Sequence, residues 1–214
     1  MTNLDDYILE HISPEHPYLY RLYRATNTQL LRPRMASGHQ QGLLLRMFCQ
    51  MLRPMTVVEI GTYSGYSALA MASGMPDGAR LYTFEINDEQ EDFTRPWIEA
   101  SPWAEKISML TGNIAEMLPE MHLPPIDLAF IDANKRDYVG YYHLLRPFMR
   151  CGGWMLADNT LWDGHVADHA YDRDAQTIGI RAFNDLMAEE ARSGRIDTNI
   201  LPLRDGLTII RIRE

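Results

Sequence analysis

The chain has 214 residues, 46% of them hydrophobic and 23% charged, an ordinary globular balance and a length that suits one domain with a sizeable core. A formal net charge of −9 argues against nucleic acid as a partner, because duplex and tRNA binders usually present a basic face. No apolar run reaches the roughly 18 residues of a membrane helix, and Met1–Glu10 lacks the basic start and apolar core of a secretory signal. Two cysteines, Cys49 and Cys151, are too few for a disulfide framework, so the cytoplasm is the expected compartment.

Residues 1–53 read as helical. Leu43, Leu44, Met47, Phe48, Met51 and Leu52 recur at helical spacing, and Pro54 stops the run. Strands and helices then alternate. The spacing predicts a strand at Thr56–Ile60, a helix at Ser67–Ser73 ending at Gly74, and a strand at Leu81–Phe84. A helix opens at Asp88 and ends before Pro96 or soon after it. Strands follow at Ile107–Leu110 and Asp127–Ile131, the latter nearly all apolar, as a strand buried on both faces should be. Tyr138–Met149 reads as a helix closed by Gly152 and Gly153, Trp154–Ala157 as a strand and Ile178–Arg192 as a long amphipathic helix. The end differs: Ile200–Leu203 and Leu207–Ile212 flank Arg204-Asp205-Gly206, a hairpin signal. The whole is a parallel α/β sheet with right-handed crossovers, helices on both faces and an antiparallel hairpin at its end.

The first strand runs into Gly61-Thr62-Tyr63-Ser64-Gly65-Tyr66-Ser67. A glycine-rich turn there lets a ligand approach the backbone and the next helix N-terminus. The spacing is G-x-x-x-G, without the middle glycine of the G-x-G-x-x-G turn that holds a pyrophosphate. Glu85 closes the second strand, where a carboxylate can accept hydrogen bonds from two ribose hydroxyls. A solvated strand end explains Glu85 too. Glu59 lies inside an apolar strand, and a carboxylate there needs a partner or a ligand.

The fourth and fifth strands each end at a carboxylate, Asp132 and Asp158, and Asn159 follows directly. Neighbouring strand ends of an open parallel sheet lie together on the edge where ligands bind. Two carboxylates and an amide oxygen favour a hard cation such as Mg²⁺. Lys135 lies three residues past Asp132. Of 20 basic residues only Lys106 and Lys135 are lysines, and lysine, unlike arginine, can give up its proton in a suitable environment. Each residue has a plain structural explanation as well: Asp132 as a helix cap, Asp158-Asn159 as a turn. Their joint placement at adjacent strand ends is what favours a site.

Three blocks carry a family likeness: Val58-Glu59-Ile60-Gly61-Thr62-Tyr63-Ser64-Gly65-Tyr66-Ser67, Phe130-Ile131-Asp132-Ala133-Asn134-Lys135-Arg136-Asp137-Tyr138 and Asp158-Asn159-Thr160-Leu161-Trp162-Asp163-Gly164. From about Met35 onward the chain resembles the cation-dependent O-methyltransferases, the family of the catechol and caffeoyl-CoA enzymes. The resemblance implies a single class I S-adenosylmethionine-dependent methyltransferase domain, Rossmann-like, with a seven-stranded sheet. Residues 1–53 would cover the cofactor and acceptor site. It implies Asp132, Asp158 and Asn159 as ligands of Mg²⁺ (or Mn²⁺ or Ca²⁺) and Lys135 as general base. S-adenosylmethionine would meet Met35, Ser37, Glu59, Gly61, Thr62, Tyr63, Ser67, Glu85, Ile86, Ile114 and Asp132. Asn134, Trp162 and Asp163 would fall to the acceptor, a small hydroxylated aromatic, and a homodimer is expected.

The chain departs from the family in places. Leu201-Pro202-Leu203 stands where the catechol enzyme has a carboxylate, Arg204 stands where glycine is usual, and the adenine loop reads Gly112-Asn113-Ile114. The acceptor is therefore open between a catechol-like or hydroxycinnamoyl-type hydroxyl and a tRNA 5-hydroxyuridine. An NAD-dependent oxidoreductase and a binding module that has lost catalysis are the competing classes. The glycine spacing and the terminal hairpin speak against the first, and the intact Asp132, Lys135, Asp158 and Asn159 against the second.

Overall fold

A computed structural model describes residues 4–214; the first three residues of the expected helical segment lie outside them. The N-terminal segment is not one helix but three, α1 (Leu4–His11), α2 (Pro17–Gln29) and α3 (Gly38–Leu52), with a 3₁₀ turn at Pro33–Met35. Proline and His16 set the start of α2: Pro17 occupies its first turn, where no N–H is needed, and His16 accepts from the Tyr18 amide. The alternating part follows as β1 (Thr56–Ile60), α4 (Tyr66–Gly74), β2 (Arg80–Glu85), α5 (Glu91–Glu99), β3 (Ile107–Thr111), α6 (Ile114–Met117), β4 (Ile126–Ile131), α7 (Tyr138–Leu145), β5 (Met149–Asp158), α8 (Ala175–Arg192), β6 (Ile196–Leu201) and β7 (Leu207–Ile212). The seven strands form one sheet in the order β3-β2-β1-β4-β5-β7-β6. β1 with β4, β4 with β5 and β2 with β3 pair parallel, whereas β7 pairs antiparallel with both β5 and β6.

The contacts fall into two compact units. One takes the chain up to Met55 and again from Thr62 to Asn113. In it α3 packs on α4, whose Ala68, Leu69, Ala70, Met71 and Ala72 are all buried, so small side chains let the two helices approach. The other takes Thr56–Gly61 and Ile114–Glu214. Its β4 is nearly solid with apolar side chains and its β1 is buried at every position, the pattern of strands covered on both faces. Here α8 packs on α7, on β6 and on the 3₁₀ turn Lys135–Asp137. Among the described residues no helix is long and apolar enough to cross a membrane.

Several boundaries differ from the sequence reading, the start of α8 at Ala175 rather than Ile178 among them. The helix expected over 138–149 stops at Leu145, because Pro147 turns Arg146–Phe148 into a 3₁₀ turn. Gly152 and Gly153 do not cap it; they lie inside β5, which starts at Met149, near a register shift opposite Ile126 and Leu128. The hairpin strand expected at 200–203 is Ile196–Leu201. Pro202 has no N–H for the ladder, so the turn starts there and Leu203 belongs to it.

Candidate active site

Strand register places the candidate residues of the second unit. Ile60 stands opposite Ile131, and Ile131 opposite Ala157. The next residues, Asp132 and Asp158, therefore leave adjacent strands side by side at the carboxyl edge, as the sequence reading expects. The Asp132 amide still bonds to the Ile60 carbonyl at 2.9 Å. Gly61 is required where the strand ends: its φ is +99°, and a Cβ there would lie 2.1 Å from the Asp132 carbonyl oxygen. Only glycine lets the turn pass that close.

Lys135 is buried, 7% exposed. Its Nζ donates to Asp132 Oδ1 at 2.8 Å and to the Tyr138 hydroxyl at 2.8 Å. Tyr138 in turn donates to the Asp158 carbonyl at 2.8 Å. This phenol is wholly buried, and burial, then the charges of Asp132 and Asp158, push its pKa well above the usual range. It is a neutral donor at any working pH. Tyr138 was not singled out by the sequence reading, although it lies three residues past Lys135, a spacing that puts helical side chains together.

Asp158 is 5% exposed. Asn159 has φ +59°, and its Nδ2 is turned to Asp205 Oδ2 at 3.4 Å, so its amide oxygen is the end that remains to ligate. Among the described residues no three His, Cys, Asp or Glu side chains gather as a metal cage. The donor set on offer is two carboxylates on register-matched strand ends and one amide oxygen. That all-oxygen chemistry fits a hard divalent cation that keeps several waters. Asp205 has its pKa raised by burial, then by the hydrogen bond and charge of Asp163. Trp162 and Asp163 both adopt left-handed φ, 47° and 51°, and the Leu161 and Trp162 amides bond to the Asp205 carbonyl at 2.7 and 3.1 Å. Asn134 is exposed and bonds Asp137 at 2.6 Å. Glu59 and Ile114 are buried, Glu59 completely and Ile114 to 4% exposure.

The first unit holds the other expected residues. The Glu85 carboxylate takes one backbone amide on each oxygen, Tyr63 N–H at 2.8 Å and Asn87 N–H at 2.9 Å. Each oxygen keeps a lone pair for a diol. Ile86 beside it is 76% exposed, an uncovered apolar side chain of the kind that packs on a planar base. The turn is fixed by Thr62 Oγ1 on Thr83 Oγ1 at 2.6 Å and by the Tyr63 hydroxyl on the Arg32 carbonyl at 2.8 Å. That second bond ties the turn to the segment carrying Met35, which is 53% exposed, and Ser37, which is buried. Ser67 is buried in the first turn of α4. A separate cavity of about 250 Å³, lined by Glu15, His16, His39, Arg46, Tyr66 and Trp103 among others, includes none of the residues expected to meet the cofactor.

A family model described as O-methyltransferase matches residues 9–213. The chain is 31% identical to caffeoyl-CoA O-methyltransferase from Petroselinum crispum, over 97% of this chain and 90% of that one. It is 31% identical to tricin synthase 1 from Oryza sativa subsp. japonica, over 96% and 86%. Among solved structures it resembles an O-methyltransferase from Bacillus cereus in complex with S-adenosylhomocysteine, with TM-score 0.90, 26% identity and coverage of 98% and 97%. It also resembles TomG from Streptomyces achromogenes, an O-methyltransferase of tomaymycin synthesis in complex with S-adenosylmethionine, with TM-score 0.89, 25% identity and coverage of 99% and 96%. The chain belongs to the O-methyltransferase family. It is an enzyme of the caffeoyl-CoA O-methyltransferase type, with the fold of the class I S-adenosylmethionine-dependent methyltransferases.

Proposed function

We propose that the chain is a single-domain, cytoplasmic and homodimeric O-methyltransferase. It moves the methyl group of S-adenosylmethionine to a hydroxyl of a small catechol-like or hydroxycinnamoyl-type aromatic, with help from a divalent cation. The observation that carries the reading is the register of β4 and β5, which leads Asp132 and Asp158 off adjacent strands with Lys135 and Tyr138 bonded between them.

Asp132, Asp158 and Asn159 would hold the cation, Mg²⁺ being the first choice for an oxygen set. When bound, it would polarise the acceptor hydroxyl as a Lewis acid. Lys135 would take the proton from that oxygen through its amine nitrogen, and the bonds of the buried Nζ to Asp132 and Tyr138 fix where it points. Glu85 would bind the ribose hydroxyls, and Ile86 and Ile114 would flank the adenine. Gly61, Thr62, Tyr63, Ser67, Glu59, Met35 and Ser37 would line the methionine end, with Asp132 facing both cofactor and cation. Asn134, Trp162 and Asp163 would meet the acceptor. A net charge of −9 weighs against a tRNA acceptor, since phosphate contacts need surplus cations.

The test is a methyl-transfer screen of catechols, hydroxycinnamoyl thioesters and tRNA, run with Mg²⁺ and with EDTA. Turnover of a small aromatic with Mg²⁺, and its loss in EDTA, are expected. Lys135→Ala and Asp158→Ala should each lower turnover by about 10²-fold or more, the usual scale for a general base. Near wild-type rates in both variants at saturating cofactor and Mg²⁺ would defeat the mechanism.

A further inference from the structure

The segment that carries Trp162 and Asp163 has no apolar anchor of its own. It consists of two 3₁₀ stretches, Trp162–Ala167 and His169–Tyr171, with left-handed residues at 162, 163 and 164. No residue from 161 to 172 is buried. What holds it is polar, and most of that comes from one side chain. Arg181, on α8, sends Nε to the Val166 carbonyl at 3.0 Å and Nη2 to the His165 and Asp168 carbonyls at 2.9 and 2.8 Å. Its Nη1 reaches Asp172 Oδ1 at 2.6 Å. The same guanidinium is the first cause holding the Asp172 carboxyl below its usual range. Inside the loop thus gathered, the His165 and Tyr171 rings stack at 3.5 Å and 9°.

We infer that Arg181 is a positioning residue for the acceptor: it latches residues 162–172 to α8 and so sets where Trp162 and Asp163 stand. The inference rests on the acceptor role proposed above for those two residues. Its physical basis is the planar fork. One guanidinium can serve three carbonyls and a carboxylate at once, whereas a lysine offers a single point charge and cannot span them. α8 supplies the rigidity. It is 18 residues long, opens on an Asp174 side chain that caps Thr177 N–H, and buries Ile180 and Phe183 on either side of Arg181. Three residues on from Arg181, Asn184 Nδ2 bonds the Thr160 carbonyl at 2.8 Å, just ahead of the same segment.

The test compares wild type with Arg181→Met, which keeps an apolar stem, and Arg181→Lys, which keeps the charge. Three quantities are read: amide hydrogen exchange across 162–172, the acceptor KM and kcat, and the affinity for S-adenosylhomocysteine. In both variants exchange of the segment should rise while the rest of the chain keeps its pattern. Acceptor KM should rise by about 10- to 100-fold, the scale of a misplaced contact. Affinity for S-adenosylhomocysteine should stay within about twofold. Unchanged exchange overturns the latch. Raised exchange with unchanged acceptor KM overturns the link to the acceptor, and full rescue by lysine overturns the fork. A parallel loss of S-adenosylhomocysteine affinity would make Arg181 merely structural. If the wild type methylates no hydroxylated aromatic, the proposed function fails by itself, and the exchange measurement still decides whether Arg181 holds the segment.

Discussion

Lys135 is held from two sides, by Asp132 Oδ1 and by the Tyr138 hydroxyl, each at 2.8 Å, and Tyr138 is in turn fixed by its own bond to the Asp158 carbonyl. Removing that hydroxyl takes one donor from the Asp158 carbonyl and the second acceptor from Lys135 Nζ. Each lost bond of this kind costs about 1–3 kcal/mol. With two such bonds removed, Tyr138→Phe is therefore expected to lower stability by about 2–6 kcal/mol, read from chemical denaturation, and to lower kcat while affinity for S-adenosylhomocysteine holds. A variant with unchanged kcat would show that Lys135 needs no such bond. The carboxylates and the lysine are legible in the sequence because strand ends and residue chemistry mark them. Tyr138 is not, since an apolar helix start explains a tyrosine equally well. Arg181 is hidden for a different reason: its partners are backbone carbonyls of residues 165, 166 and 168, and a sequence does not display where carbonyls point.

At the scale of elements, α8 presses on the turn that carries Lys135. Gly179 meets it without a side chain; a Cβ there would lie 2.5 Å from the Lys135 carbonyl oxygen and 2.7 Å from the Arg136 Cα. Both neighbours are backbone, so the turn itself must move. Gly179→Ala should destabilise the fold by about 1–3 kcal/mol, the usual cost of overpacking. It should also reduce turnover by up to about 10²-fold, because a shift near 1 Å at a reacting group costs that much. Thermal unfolding and single-turnover rates read the two effects; a kcat equal to wild type would mean that α8 does not set Lys135. The alternation of strands and helices is legible because buried parallel strands leave apolar runs such as Ile126–Ile131. The misread boundaries have local causes. Proline at 147 shortens α7, proline at 202 ends β6, and the glycines at 152 and 153 belong to an irregular strand rather than a helix end. The β6 residues Asp197, Thr198 and Asn199 carry too little hydrophobicity to announce a strand.

For the whole molecule, the choice between a methyl donor and a dinucleotide turns on how the first turn meets its carboxylate. The turn lacks the middle glycine of a pyrophosphate site, and Tyr63 offers its amide to Glu85, which accepts a second from Asn87. The carboxylate is thereby oriented before any ligand arrives, and pre-organisation of this kind raises affinity by lowering the cost of ordering. A ligand that binds only the folded chain stabilises it by about 2.7 kcal/mol at a hundred times its Kd. For a protein of 150–250 residues each kcal/mol moves the melting temperature by about 2–4 °C. S-adenosylhomocysteine at that excess should therefore raise the Tm by about 5–10 °C, and NADH at the same concentration should leave it in place. Glu85→Ala should remove most of the shift without abolishing the fold, since Glu85, although buried, stands at the end of its strand. A shift produced by NADH and not by S-adenosylhomocysteine would instead assign the Glu85 carboxylate to a dinucleotide ribose and return the chain to the oxidoreductases.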